Sequence, residues 1–282
     1  MDNHAFFQAT KVLENTWLIR SHGSTAHLCA GEDEGCVVDT GDSYGDLHAF
    51  CEELCGKPVK TALNTHGHFD HTALNGQFGT AYIGRLAAVI AKQPNGGQPL
   101  ERYNTDYAIR IVDDGDSVTV GGRRFEAIRM DGHSPDSIAW LDRQYRILFT
   151  GDNLSTMVPL EYKRRDPQPS VLRWVMSVAK LLRWRDAYDY VAYGHGETLA
   201  GAELVDHAMI AGLRALDGEM DTPPARKARP KEDGILGPID IPPDTSSHDP
   251  NDKAFTTWKD VTVMYSRAYL RDPTDYAVVE GT

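Results

Sequence analysis

The sequence predicts a mixed α/β chain built from two similar halves, on three observations. Short β-branched runs alternate with segments of helical apolar spacing over most of the first 216 residues. The stretch LCAGEDEGCVVDTGD (28–42) is echoed by IAWLDRQYRILFTGD (138–152), each a strand, a polar turn, a strand and then Thr-Gly-Asp. Across 282 residues, 41% are apolar and 25% charged, a composition that excludes a disordered chain, a collagen-like fibre and a disulfide-rich miniature.

Residues 12–19 and 26–30 read as strands, and 35–38 as a short buried strand ending at Asp39-Thr40-Gly41-Asp42. Leu47, Phe50 and Leu54 then fall at helical spacing within 46–54. Residues 59–63 form a strand running into Asn64-Thr65-His66, 82–92 a helix, and 94–99 a loop. A second block opens near Ile109 with a hairpin over 117–130, then strands over 137–141 and 146–149 that end at Thr150-Gly151-Asp152. A strong amphipathic pattern predicts a helix over 170–184; a strand over 188–193 ends at Gly194-His195-Gly196, and 202–216 is helical. Seven of the fifteen prolines lie between 221 and 252, which predicts a linker or surface arm. Phe255, Trp258, Tyr265 and Tyr269 are spaced as on a helix over 254–270, so residues 1–220 form the expected main domain and 221–282 a C-terminal extension.

The net charge of −12 offers no basic surface for nucleic acid or anionic lipid. No apolar run reaches the roughly 18 residues of a membrane helix, and no basic-then-apolar leader opens the chain. The expectation is a cytoplasmic protein. Cys29, Cys36, Cys51 and Cys55 then read as reduced core thiols, with Cys51 and Cys55 a weak metal pair at best.

The densest chemistry lies in His66-Gly67-His68-Phe69-Asp70-His71, directly after a strand. His66 and His68, two apart in extended backbone, point to one side. Gly67 lets the chain bend between them. Asp70 and His71 turn away, where a second cation fits beside the first. Imidazole and carboxylate suit zinc, iron or manganese, and the lack of cysteine argues against a closed structural zinc.

This pattern resembles the metallo-β-lactamase-fold superfamily of hydrolases, whose mark is His-x-His-x-Asp-His. Gly132-His133-Ser134-Pro135, Asp152 in Thr-Gly-Asp and His195 in Gly-His-Gly follow in the expected order and setting. The resemblance covers residues 10–215 and implies a four-layer αββα sandwich. It also implies that His66, His68 and His133 hold one metal, that Asp70, His71 and His195 hold the other, and that Asp152 bridges both. Asp39 is implied to support the ligands, and Asp70 to accept a proton during catalysis.

The implied function is metal-dependent hydrolysis, with a hydroxide bound between two divalent ions attacking a small-molecule ester, lactone or thioester. Zinc is the first choice of metal. The alternatives are a mononuclear iron persulfide dioxygenase using His66, His68 and His133, and a metal-binding protein without catalysis. Two departures bear on substrate: Thr72-Ala73-Leu74 precedes Asn75-Gly76, and Asp136-Ser137 stands where many relatives have Gly-His. Candidate substrate contacts are His22 in an early loop, and Tyr162 with Lys163, Arg164 and Arg165, a basic cluster after Asp152. The C-terminal extension is expected to cover the core or a second subunit in a homodimer.

Overall fold

The computed structural model describes residues 5–21, 23–92, 105–160, 170–222, 253–267 and 270–271. A seven-stranded sheet is laid down in chain order: β1 (Gln8–Leu13), β2 (Thr16–Arg20), β3 (Thr25–Ala30), β4 (Gly35–Val38), β5 (Val59–Leu63), β6 (Thr80–Ile83) and β7 (Ala108–Ile111). Helices α1 (Leu47–Cys55), α2 (Phe69–Thr72) and α3 (Arg85–Ala91) lie between its later strands. A six-stranded sheet follows from β8 (Ser117–Val120), β9 (Arg123–Met130), β10 (Ser137–Asp142) and β11 (Ile147–Gly151). Beyond β12 (Met157–Leu160) and α4 (Val171–Leu182), β13 (Tyr190–Tyr193) and β14 (Ala200–Gly201) complete that sheet. Helix α5 (Glu203–Leu216) precedes β15 (Lys253–Trp258) and β16 (Val261–Ser266), which join β12 in a three-stranded sheet ordered β12-β16-β15.

Both large sheets follow one plan. Four antiparallel strands end in a parallel pair, β4 with β5 and β11 with β13, each crossed by a helix (α1 or α4). The two halves inferred from sequence are therefore present in the topology, but the Thr-Gly-Asp match is two residues out of register. Gly31 to Glu34 joins β3 to β4, and Arg143 to Arg146 joins β10 to β11. Counting outward from these turns pairs Asp39 with Gly151 and Thr40 with Asp152. Backbone conformation agrees, since Asp39 (φ 57°) and Gly151 (φ 54°) are both left-handed.

Apolar side chains fill three interfaces, giving four layers. Phe50, Leu47 and Cys51 of α1 pack on Leu28, Val37 and Ala62 of the first sheet. Between the sheets lie Val38, Leu63, Phe125, Trp140 and Phe149. Trp174, Val178 and Leu181 of α4 join Val205, Ala208 and Ala211 of α5 against Leu141, Leu148 and Val191. Each such side chain contributes about 1.5–3 kcal/mol when fully buried. Arg123, 2% exposed, ties the halves together: it meets Asp142 at 2.5 Å and donates to the Asn15 carbonyl at 2.8 Å.

Three expected elements differ. Residues 12–19 are the two arms of a hairpin turning at Glu14-Asn15, with Asn15 left-handed at φ 55°. Residues 82–83 end β6, and the helix begins only at Arg85 after the Gly84 N-cap. The helix expected over 254–270 is instead the β15–β16 hairpin. Its β-branched density (Thr256, Thr257, Val261, Thr262, Val263) favours extended backbone over the helical spacing of its aromatics. Ala254, Val261, Val263 and Tyr265 share the α4–α5 core, so this part of the C-terminal extension packs on its own chain. Residues 94–99 lie outside the described residues. No helix among the described residues is long and apolar enough to cross a membrane.

Candidate metal centre

The motif residues gather at the carboxyl ends of strands, the usual place for a site in sheets with parallel strands. Asp39 follows β4, His66 and His68 follow β5, His133 follows β9, Asp152 follows β11 and His195 follows β13. The two sheets are stitched together there. Ile138 N–H donates to Thr65 O at 2.7 Å, the Trp140 indole to Asn64 O at 3.1 Å, and Thr25 N–H to Gly194 O at 2.8 Å. Two glycines are required by close approach. A Cβ on Gly67 would sit 2.2 Å from Ala87 O of α3, so this glycine serves packing against that helix rather than a bend. A Cβ on Gly194 would lie 2.2 Å from Asp152 Oδ1 and 2.6 Å from His71 Cε1.

Three overlapping groups of ligand-type atoms result among the described residues, each within 4.8 Å: His66, His68 and His133; Asp70, His71, Asp152 and His195; and Asp39, His66 and His71. Four of the five imidazoles are clamped at Nδ1 and turn Nε2 inward. His71 Nδ1 lies 2.9 Å from Asp39 Oδ2, His133 Nδ1 2.8 Å from Pro159 O, and His195 Nδ1 2.7 Å from Gly23 O. The Thr65 hydroxyl donates to Asp39 Oδ2 at 2.7 Å, so its oxygen can only accept from His66 Nδ1 at 3.0 Å. His68 is the exception, with its Nδ1 2.9 Å from His133 Nε2. Asp39 also accepts from Thr65 N–H at 2.8 Å. Its carboxylate is thus engaged with Thr65 and His71 at both oxygens.

His66 Nε2, His71 Nε2 and Asp152 Oδ1 are buried with no hydrogen-bond partner. Native proteins rarely tolerate such orphans without an ion or water. Asp152 lies between the groups: its Oδ2 is 3.6 Å from His133 Nε2 and 3.1 Å from His195 Nε2, and its Oδ1 is 3.4 Å from His71 Nε2. Tetrahedral ligands about 2.0–2.1 Å from a zinc ion stand about 3.4 Å from one another. The donor set and its spacing therefore fit divalent cations.

Electrostatics separates the two groups. Burial, then His71, His68 and His133, push His66 well below the ordinary histidine range, and burial followed by His68 lowers His133 to about 4. Burial would also lower His71, but Asp152, Asp70 and Asp39 hold it well above that range. His195 is raised against burial, chiefly by Asp152. Burial would raise Asp152, yet His71 and His195 keep it well below the carboxylate range.

All seven ligand candidates named from sequence are thus brought together. His22, Tyr162, Lys163, Arg164 and Arg165 lie outside the described residues. The cysteines are free thiols, and none joins a metal-capable group among the described residues. The Asp136 departure has a use: at φ 55° its carboxylate accepts from Leu86 N–H at 2.8 Å, capping α3, and pairs with Arg129 at 2.7 Å. Sequence reasoning missed Thr65 and the Gly23 and Pro159 carbonyls. A backbone carbonyl leaves no residue signature; Thr65, next to His66, was open to notice.

The family model described as the metallo-beta-lactamase superfamily matches residues 10–199. The chain belongs to the metallo-beta-lactamase superfamily. A metallo-beta-lactamase from Pontibacter korlensis has the same fold, with a TM-score of 0.58 and 19% identity over 73% of this chain and 99% of that one. A human acyl-coenzyme A thioesterase is 25% identical over 171 residues, 49% of this chain and 57% of the human protein. A hydroxyacylglutathione hydrolase from Idiomarina loihiensis is 28% identical over 123 residues, 44% of this chain and 43% of that protein. The chain thus spans about half the length of these curated relatives. These relatives carry hydrolase names, and the His/Asp groups of this chain suit divalent metal.

Proposed function

We propose that the chain is a two-zinc hydrolase of small-molecule thioesters, within the wider class of esters and lactones. The observation that carries this reading is the set of four imidazoles clamped at Nδ1, three of which (His71, His133 and His195) turn Nε2 to Asp152 while His66 Nε2 is buried without a partner. Fixing the outer nitrogen selects the tautomer whose inner nitrogen is a free donor, the arrangement that metal ligation requires. Thioester cleavage is favoured because a thioesterase and a hydroxyacylglutathione hydrolase are among its relatives.

His66, His68 and His133 would hold one ion, Asp70, His71 and His195 the other, with Asp152 shared. When bound, such ions supply a Lewis acid and lower the pKa of a coordinated water from 15.7 towards about 7. The chain's own residues do the rest. Asp39 orients His71 directly and His66 through Thr65. Asp70, about one-third exposed at its side chain, presents Oδ2 3.6 Å from His71 Nε2 and 3.5 Å from His195 Nε2. Asp70 would also take the proton that leaves the attacking water and pass it to the thiolate released as the acyl carbon–sulfur bond breaks, giving an acid and a thiol.

The test is release of free thiol from acyl-coenzyme A and S-acylglutathione by the zinc-loaded full chain, beside lactones and phosphodiesters. The expected result is thioester turnover that a chelator abolishes and added zinc restores. Full metal loading without turnover on any substrate would leave a binding protein. One tightly held iron per chain with oxygen consumption on a persulfide would replace hydrolysis with oxidation.

A further inference from the structure

His133 is clamped by a carbonyl from outside both large sheets. Pro159 lies in β12, and among the described residues β12 pairs with β16 alone. The register runs Met157 to Thr262, Val158 to Val263, Pro159 to Met264 and Leu160 to Tyr265. Thr262 N–H donates to Thr156 O at 2.9 Å, just ahead of this ladder. Val158 and Leu160 are buried beside Val261, Val263 and Tyr265, while Leu172 N–H of α4 is bonded to Leu270 O. The position of the Pro159 carbonyl is therefore set by residues about 100 positions later in the chain.

We propose that the β15–β16 hairpin is a positioning element of the metal centre. By holding β12, it keeps the Pro159 carbonyl against His133 Nδ1 and so presents His133 Nε2 to the other ligands. A carbonyl only accepts, so the proton must stay on Nδ1 while the contact lasts. The proposal makes a segment near the end of the chain a determinant of affinity at the trihistidine group. Its consequence for metal rests on the two-ion reading; its structural claim does not.

Thr262→Pro is the sharpest probe. The Thr262 N–H points to β12, so proline removes that link while sparing the hairpin's backbone hydrogen bonds to β15. The Thr262 hydroxyl's bond to Thr257 Oγ1 (3.0 Å) is lost with it, and Thr262→Val, which removes that bond alone, is the control. In the metal-free full chain, ¹⁵N NMR of the imidazoles should show His133 protonated at Nδ1 in the wild type. The variant should show averaged tautomers at His133 and an unchanged His71, whose clamp is Asp39. Competition with a chelator should show zinc affinity falling by about 10–100-fold, the usual cost of losing a partner behind a ligand. If Thr262→Pro does not fold, Val263→Ala, which loosens β16 where it packs beside Val158 of β12, is read in the same two ways. A His133 tautomer and zinc affinity unchanged in the folded variant overturn the proposal. A wild type that takes up no zinc overturns the two-ion reading instead, and the tautomer still decides this one.

Discussion

The two ligand groups lie side by side yet are built on opposite electrostatic plans. His66 and His133 sit in a buried cluster of imidazoles where every neighbour of like kind disfavours a proton. His71 and His195 face Asp70 and Asp152, whose negative charge favours one. In the first group burial and neighbouring imidazoles lower His66 and His133; in the second, nearby carboxylates raise His71 and His195 against burial. One fold thus prepares adjacent groups by different means, burial in one and charge pairing in the other, with Asp152 lying between them and Asp39 behind both, against His71 directly and His66 through Thr65.

The largest expected effect comes from removing what the groups share. Asp152→Ala should lower the proposed thioester hydrolysis by more than about 100-fold, beyond the range typical of residues behind the ligands. It should also cost metal at both groups, which elemental analysis would reveal. A variant that keeps full metal content and activity breaks the idea of a common ligand. Asp39→Ala should act next most strongly, weakening metal affinity by about 10–100-fold. Because Asp39 holds His71 directly and His66 through Thr65, chelator competition should show the loss at both groups, whereas Thr262→Pro affects only one.

A smaller effect concerns His27, buried against Phe149 and lowered to about 4 by burial and by His71. Between pH 6.5 and about 4 the unfolded chain binds a proton at this residue that the folded chain refuses. Its contribution to stability is complete above pH 6.5 and is lost as pH falls through that window, by about 3 kcal/mol at most. Urea unfolding of metal-free wild type and His27→Leu at pH 7 and 4.5 should show a shallower pH slope in the variant. Equal slopes would remove His27 from the acid sensitivity and leave it to the ligand histidines.

Much of this architecture is legible in residue order because local signals agree with burial. The run from Val59 to Leu63 is strand in sequence and in space, and Ser170 caps the helix that its pattern announces. The ligands are legible because metal chemistry admits few residue types and the His66–His71 spacing is dense. The β15–β16 hairpin is less legible, because its aromatics fall at helical spacing while its β-branched residues favour extended backbone. The clamps at Gly23 and Pro159 escaped for a deeper reason. They are main-chain oxygens, defined only when distant strands meet, as Pro159 is through β16.

The central claim is that the His66-His68-His133 and Asp70-His71-Asp152-His195 groups each hold a divalent ion. It is tested most directly by loading the wild-type full chain with zinc, dialysing exhaustively against metal-free buffer and measuring zinc and protein by elemental analysis. The account predicts two zinc ions per chain. A chain that retains one ion or none after that dialysis would contradict it.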